Sequence, residues 1–171
     1  MPWKKVKSIH YAGKLNCRNI EVQENQTYLL ESGIVSHNSM LNGRIRKVSH
    51  VFIRIPFGTP AGREARVYLL KCLPGFVDIV TNDGINNLKD LHALQEPIAL
   101  PSYDFETKKF ITDQALIKLI GRRQTFKVTL EDGSYVPATK NHRFFVSDNG
   151  NVKEKRVAEL KPGDFLIGWE D

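Results

Sequence analysis

Three short stretches of the chain carry side chains able to rearrange a peptide bond. His37-Asn38-Ser39 sets an asparagine between an imidazole and a hydroxyl. The Asn38 carboxamide can attack its own backbone carbonyl to form a succinimide, with His37 polarising that carbonyl or shuttling the proton, so the Asn38–Ser39 bond is cleavable. Lys71-Cys72-Leu73-Pro74-Gly75 presents a thiol. A thiolate there can attack the carbonyl of the preceding residue and convert the Lys71–Cys72 amide into a thioester, given a strained peptide and a donor for the oxyanion. Ser39, once close, can capture the acyl group. Thr139-Lys140-Asn141-His142 adds a hydroxyl and an imidazole near the end of a strand-like segment, where the two can distort and protonate one amide. Each signal is weak alone: a free cysteine is most often a small buried hydrophobe, and Cys17, at the end of a strand-like run, is read as packing. The two cysteines form no CxxC pair, which leaves a zinc cluster or a disulfide framework without support.

The elements that must position these residues read as mostly β. Short apolar runs broken by turn signals recur, and a sustained helical period is nearly absent. Strands are expected over Val6–Ile9, Arg18–Val22, Tyr28–Leu30, Ile34–Ser36, Phe76–Thr81, Gln124–Leu130, Ser134–Ala138 and Phe165–Gly168. Asn82-Asp83-Gly84 and Asp132-Gly133 are hairpin-type turns, and Lys161–Asp164 is a turn before the closing strand. The one helical candidate spans Ile85–Leu91, with Asn86 or Asn87 as its cap.

The 171 residues suit one modest domain, or one domain with a passenger. The hydrophobic fraction of 41% and charged fraction of 26% belong to an ordinary folded protein. No apolar run approaches the roughly 20 residues of a membrane span, and no signal-like stretch follows the N-terminus, so a cytoplasmic location without membrane association is expected. Charge is unevenly spread. Residues 39–71 hold seven Lys or Arg against the single acid Glu64, which accounts for the whole +6 of the chain. Within this 33-residue stretch, Val51–Ile55 and Ala65–Leu70 suit a loose hairpin or a flexible passenger. A basic stretch with Phe52, Phe57 and Tyr68 can contact nucleic acid, yet charge runs are usually just solvated, so a nucleic-acid partner is disfavoured.

Together the motifs resemble those of an intein. Cys72-Leu73-Pro74-Gly75-Phe76-Val77 with Ile79, Thr81, Asp83-Gly84 and Leu88 through Leu91 is similar to the first splicing block. Leu130-Glu131-Asp132-Gly133, Val136, Ala138-Thr139, Asn141-His142 and Phe144 resemble the second, with its Thr-x-x-His. Ile20 through Asn38, with Tyr28-Leu29-Leu30, Gly33-Ile34-Val35 and His37-Asn38 before Ser39, resembles the two C-terminal blocks. The likeness covers residues 1–38 and 72–171, but in reversed order: the C-terminal part opens the chain and the N-terminal part closes it. This is the order used in engineered circular ligation, where the enclosed segment leaves as a ring.

The resemblance implies the all-β, horseshoe-shaped Hint fold shared with hedgehog autoprocessing domains, circularly permuted, with a short inserted loop or hairpin. It divides the chain into a C-terminal intein part (1–38), a passenger (39–71) and an N-terminal intein part (72–171). It implies single-turnover, autocatalytic protein splicing. Cys72 would make a thioester on the carbonyl of Lys71, assisted by Thr139 and His142; Ser39 would take the acyl group; Asn38 would cyclise with help from His37; and the product would be a 33-residue ring joining Lys71 to Ser39. The scissile junctions are then Lys71–Cys72 and Asn38–Ser39. The substrate is the chain's own segment, with no cofactor, no metal and no partner required, and a monomer is expected. Many inteins carry Asp at the position of Asn19 and His at that of Gln26. Neither substitute transfers protons at neutral pH, which leaves Cys17, Asn19 or water to compensate. A hedgehog-type autoprotease shares the Cys and Thr-x-x-His but needs no His-Asn, and His37-Asn38-Ser39 argues against it. The competing reading is a splicing-inactive intein-like scaffold that displays a basic segment to nucleic acid.

Overall fold

The computed structural model describes residues 2–37 and 72–169. The expected passenger, with Asn38, Ser39 and Lys71, lies outside the described residues. The fold is all-β with one short helix. In chain order the elements are β1 (Trp3–Val22), β2 (Thr27–Leu29), β3 (Val35–His37), β4 (Leu73–Pro74), β5 (Asp78–Thr81), β6 (Gly84–Asn87), α1 (Leu88–Leu94), β7 (Ile98–Asp104), β8 (Lys109–Leu130), β9 (Tyr135–Thr139), β10 (Arg143–Asp148), β11 (Asn151–Arg156), a 3-10 turn at Val157–Glu159, and β12 (Phe165–Ile167).

The frame is a long antiparallel pair, β1 against β8, in register from Val6↔Leu130 to Val22↔Ala115. Two short strands were expected along β1, at Val6–Ile9 and Arg18–Val22, and the structure joins them. Residues His10 to Asn16 are mostly exposed, so they carry no apolar alternation, but their backbone pairs with Arg122 to Lys127 all the same. The same reasoning extends the expected Gln124–Leu130 back to Lys109. The ladder slips between Cys17 and Arg18, where Cys17 faces Gly121 but Arg18 faces Leu119. Gly121 takes φ +91°, a conformation natural to glycine at such a bulge. On its other edge this part of β1 pairs with β4, Cys17 opposite Pro74 and Arg18 opposite Leu73.

The ten-stranded sheet runs β2-β3-β10-β12-β1-β8-β7, with β11 on β10, β4 on β1 and β9 on β8. Strand β7, absent from the sequence expectations, is the outer edge, and an edge tolerates Pro101 because a missing N–H there breaks no ladder. The expected helix Ile85–Leu91 is displaced. Gly84, at φ +115°, closes a tight hairpin at Asn82-Asp83, so Ile85 to Asn87 pair back onto Asp78 to Val80. The helix begins only at Leu88, capped by Asn87, whose side chain accepts from the Asp90 amide at 2.9 Å.

One core is shared by the stretches on both sides of segment 39–71. Val6, Ile20 and Ile34 pack with Leu73, Leu100, Val128, Phe144 and Leu166. Each such buried side chain contributes about 1.5–3 kcal/mol. A smaller cluster of Leu29, Val35, Phe145 and Ile167 backs β3. No helix among the described residues is long and apolar enough to cross a membrane.

Candidate functional site

Cys72 enters β4 fully buried, 1% exposed, and its backbone is gripped by Thr139 at the end of β9. The Cys72 N–H donates to Thr139 Oγ1 at 3.2 Å, and the Cys72 carbonyl accepts from the Thr139 amide at 3.1 Å and from its hydroxyl at 3.3 Å. The N–H in question belongs to the Lys71–Cys72 peptide, the bond that a Cys72 thiolate would open. The chain then turns, with the His142 amide donating to the Thr139 carbonyl at 2.9 Å, and carries the His142 imidazole into the interior.

Ser36, a residue the motif reading passed over, holds His142: its Oγ lies 2.7 Å from Nε2. The β3–β10 pairing makes this contact possible by setting Ser36 opposite Phe144, whose ring lies 4.9 Å from that of His142. Tyr28, opposite Ser36 on β2, hydrogen-bonds the same hydroxyl, and burial pushes its phenol well up, so it stays neutral. Thus a residue of the first stretch orients a residue of the last. Ser36 is followed by His37, also buried, whose Nε2 lies 3.2 Å from Glu154 Oε1, while Glu154 Oε2 accepts from Arg143 at 2.7 Å. The His37 contact first, and then Arg143, hold the Glu154 carboxyl down to about 2 against the opposing effect of partial burial.

Cys17 is buried, as the packing reading expects, and it also lies by Cys72. It and Asn19 are both buried on β1, and the pairing of Cys17 with Pro74 and Arg18 with Leu73 carries Asn19 to the level of Cys72. The Cys17 thiol donates to the Leu15 carbonyl at 3.4 Å and interacts with the thiol of Cys72, both cysteines being free. This contact holds the Cys72 thiol below its ordinary range, opposed by burial and reinforced by the Thr139 hydroxyl and the charge of Arg123. Cys17 is pushed well up by the same interaction and by burial. Asn19 Oδ1 is buried with no hydrogen-bond partner among the described residues. Gln26 takes φ +58° in the turn before β2.

No protein-family model matches the chain. Among curated proteins it is similar to the ribonucleoside-diphosphate reductase NrdEB subunit alpha of Bacillus subtilis (strain 168), 28% identical over 105 residues that cover 56% of this chain and 10% of that protein. The subunit of the same name from Bacillus phage SPbeta matches to the same extent. The chain spans about a tenth of the length of the curated relatives it matches.

Of the expected site residues, Cys72 and Thr139 are in contact, and His142, whose amide bonds the Thr139 carbonyl, is held by Ser36; His37 is held apart from them by Glu154, and Asn19 lies on β1 next to the stretch that pairs with β4. Asn38, Ser39 and Lys71 lie outside the described residues. Ser36, Arg143 and Glu154 were missed, and Cys17 was read chiefly as packing. The signal for Glu154 was present, since Asn149-Gly150 between Arg143–Asp148 and Asn151–Arg156 is a strong hairpin turn, and its register sets Glu154 opposite Phe145. Beside Thr139 the described residues leave a cleft of about 520 Å³ lined by Lys14, Arg122, Arg123, Gln124, Lys140 and Asn141. Among the described residues no cluster of three or more His, Cys, Asp or Glu is arranged to hold a metal ion. What the arrangement can support is acyl chemistry: a thiol held below its ordinary range, a hydroxyl on the amide it would attack, and an imidazole held by Ser36.

Proposed function

We propose that the chain is a self-splicing intein of the Hint type with its two parts in reversed order, cyclising its own segment 39–71. The observation that carries this reading is the bond from the Cys72 N–H to Thr139 Oγ1. The bond fixes the Cys72 end of the Lys71–Cys72 peptide and sets a hydroxyl beside the nitrogen that must take a proton when the C–N bond breaks. Cys72 Sγ bonds to the Lys71 carbonyl carbon, the C–N bond breaks, and the freed Cys72 amine takes a proton. Ser36 engages Nε2 of His142, so Nδ1 is the ring nitrogen that would supply it. The Ser39 hydroxyl then displaces the Cys72 thiol to form an ester. Asn38 Nδ2 closes on its own carbonyl, expelling the Ser39 amine, which captures the ester as an amide. One core and one sheet built from both flanking stretches support the permuted arrangement, since they keep the two junctions on a single body and replace a bimolecular encounter with an intramolecular one. The reaction needs reduced Cys72, as in the cytoplasm. Reductase activity does not transfer from relatives of which the chain covers so little.

Intact-mass spectrometry of fresh protein with and without a reducing thiol tests the reading. Fragments 1–38 and 72–171 should appear with a 33-residue species one water lighter than its linear formula. Asn38→Ala should stop the reaction at the thioester or branched ester. A stable 19.5 kDa chain under every condition overturns it.

A further inference from the structure

Two thiols from opposite sides of segment 39–71 meet beneath Thr139. Cys17 on β1 pairs with Pro74 of β4, and Cys72 lies two residues before Pro74, so strand alternation puts both side chains on one face of the β1–β4 pair. Both are buried, both are free, and the two thiols interact. The stretch that carries Cys72 is lightly tied to β1. Its pairing spans two residue pairs, and Pro74 has no N–H to give to the ladder. It can therefore yield by the small shift that a sulfur–sulfur bond of about 2 Å requires. A cleft of about 520 Å³ lies beside Thr139, which bonds the Cys72 backbone, and Arg123, which lines it, acts on the Cys72 thiol through its charge. A hydroperoxide is little larger than water and suits so buried a thiol; a bulky disulfide does not. The roles divide by thiol strength. Cys72, held below its ordinary range, supplies the thiolate, while Cys17, pushed well up, keeps its proton for the second step.

We propose that Cys17 and Cys72 form an oxidation site for a small hydroperoxide, closing reversibly into a disulfide across the β1–β4 pair. The Cys72 thiolate bonds to one oxygen of hydrogen peroxide, the O–O bond breaks, and the departing hydroxide takes up the proton that the thiol released, leaving a sulfenic acid and one water. The Cys17 sulfur then bonds to that of Cys72, the S–O bond breaks, and the hydroxyl leaves with the Cys17 proton as a second water. Two thiols lose two electrons and the peroxide gains them. A dithiol reverses the step by thiol–disulfide exchange and is itself oxidised. The oxidation site stands apart from the splicing reading, but its consequence rests on it: with Cys72 in a disulfide the nucleophile for the Lys71–Cys72 bond is gone, and the oxidised chain keeps that bond until a reductant returns.

The test uses the full chain carrying Asn38→Ala and Ser39→Ala, which removes both later steps of splicing. It is treated with one equivalent of hydrogen peroxide and mapped by mass spectrometry without reductant. A chain lighter by two hydrogens is expected, with the Cys17 peptide joined to the Cys72 peptide, and dithiothreitol should restore both thiols. With Cys17→Ala added, the same peroxide should leave a sulfenic acid on Cys72 that dimedone labels. Hydroxylamine opens a thioester without reducing a disulfide, so its cleavage at Lys71–Cys72 should fall at least about tenfold on oxidation and return with dithiothreitol, because only a free thiolate is the nucleophile. Two thiols still open to alkylation in the denatured, peroxide-treated chain overturn the site. So do disulfide-linked dimers in place of the internal link, or oxidation of Cys72 alone that dithiothreitol does not reverse. A reduced chain that hydroxylamine fails to cleave overturns the splicing reading instead, and the joined peptides then still decide the oxidation site.

Discussion

Cys72 and His37 stand at the two described ends that flank segment 39–71, and they are held by opposite means. Around Cys72 the nearest groups are buried and carry no formal charge, a threonine on its amide, a second thiol by its sulfur and a histidine whose ring is held by a serine, with the Arg123 charge acting from further off. Around His37 the holding groups are charged and reach solvent, the Glu154 side chain being 31% exposed and that of Arg143 38%. In a low-dielectric pocket each hydrogen bond is strong, each orphaned group is costly, and water that would hydrolyse a thioester is kept out. Near the surface the same geometry is screened and tunable. The Cys72 side should therefore fail sharply when one atom is removed, and the His37 side by degrees.

The largest effect belongs to Thr139→Ala. It removes the acceptor of the Cys72 N–H, which costs about 1–3 kcal/mol for a buried donor left unmade. Thiol-induced cleavage at Lys71–Cys72, measured in the Asn38→Ala chain, should slow on the order of 10²-fold. Thr139→Ser, which keeps the oxygen, should recover most of the rate. A loss under about threefold would mean that the hydroxyl only holds the strand end.

Ser36→Ala asks whether the two regions are as separate as their chemistry suggests. Ser36 is the neighbour of His37, yet its hydroxyl serves His142. Removing it should slow thiol cleavage at the distant Lys71–Cys72 bond about tenfold, the rate equivalent of one net hydrogen bond, and should change Asn38 cyclisation less. The opposite order of effects would assign Ser36 to the His37 side.

Much of this was legible in the sequence because the side chains that carry the chemistry also fall at strand ends and turns. Cys72 before a Pro-Gly run, Thr139 at the end of an apolar run and His142 three residues on need only local geometry, and the structure places them as that geometry requires. Long strands were harder. Between His10 and Asn16, β1 is mostly exposed, so pairing leaves no trace in the apolar pattern. Ile85 was misread as helical because its hairpin depends on the left-handed Gly84, a conformational fact rather than a hydrophobic one. What Cys17, Ser36 and Glu154 touch was hidden for a different reason. Each acts across the sheet on a residue of another strand, and only the register of β1 with β4, β3 with β10, and β10 with β11 brings partners together. Local motif reading reaches the candidate residues and stops short of what holds them.

Cys17→Ala probes the neutral side more gently. The Cys17 interaction is the first cause of the lowered Cys72 thiol, so without it burial prevails and the thiol moves up. The rise of Cys72 alkylation by iodoacetamide with pH should shift to higher pH, and thiolate-dependent cleavage near pH 7 should fall roughly three- to tenfold. Cysteine at position 17 would revert to mere packing if the alkylation curve did not move.

The smallest effect lies on the charged side and concerns stability. Glu154 titrates at about 2 in the fold, below the 4.5 of an unperturbed glutamate. For a lowered carboxyl the unfolded chain binds the proton first, so the stabilisation is fully present above about pH 4.5 and is lost as the pH falls toward 2. Solvent screening at a side chain 31% exposed reduces it to on the order of 1 kcal/mol. Thermal melts of the Cys72→Ala chain between pH 6 and pH 2.5 should therefore fall more steeply with Glu154 than with Glu154→Gln, by a few degrees across that window. Parallel curves would mean that the His37–Glu154–Arg143 group orients a ring without stabilising the fold, which would sharpen the contrast with the buried threonine and thiol on the other side.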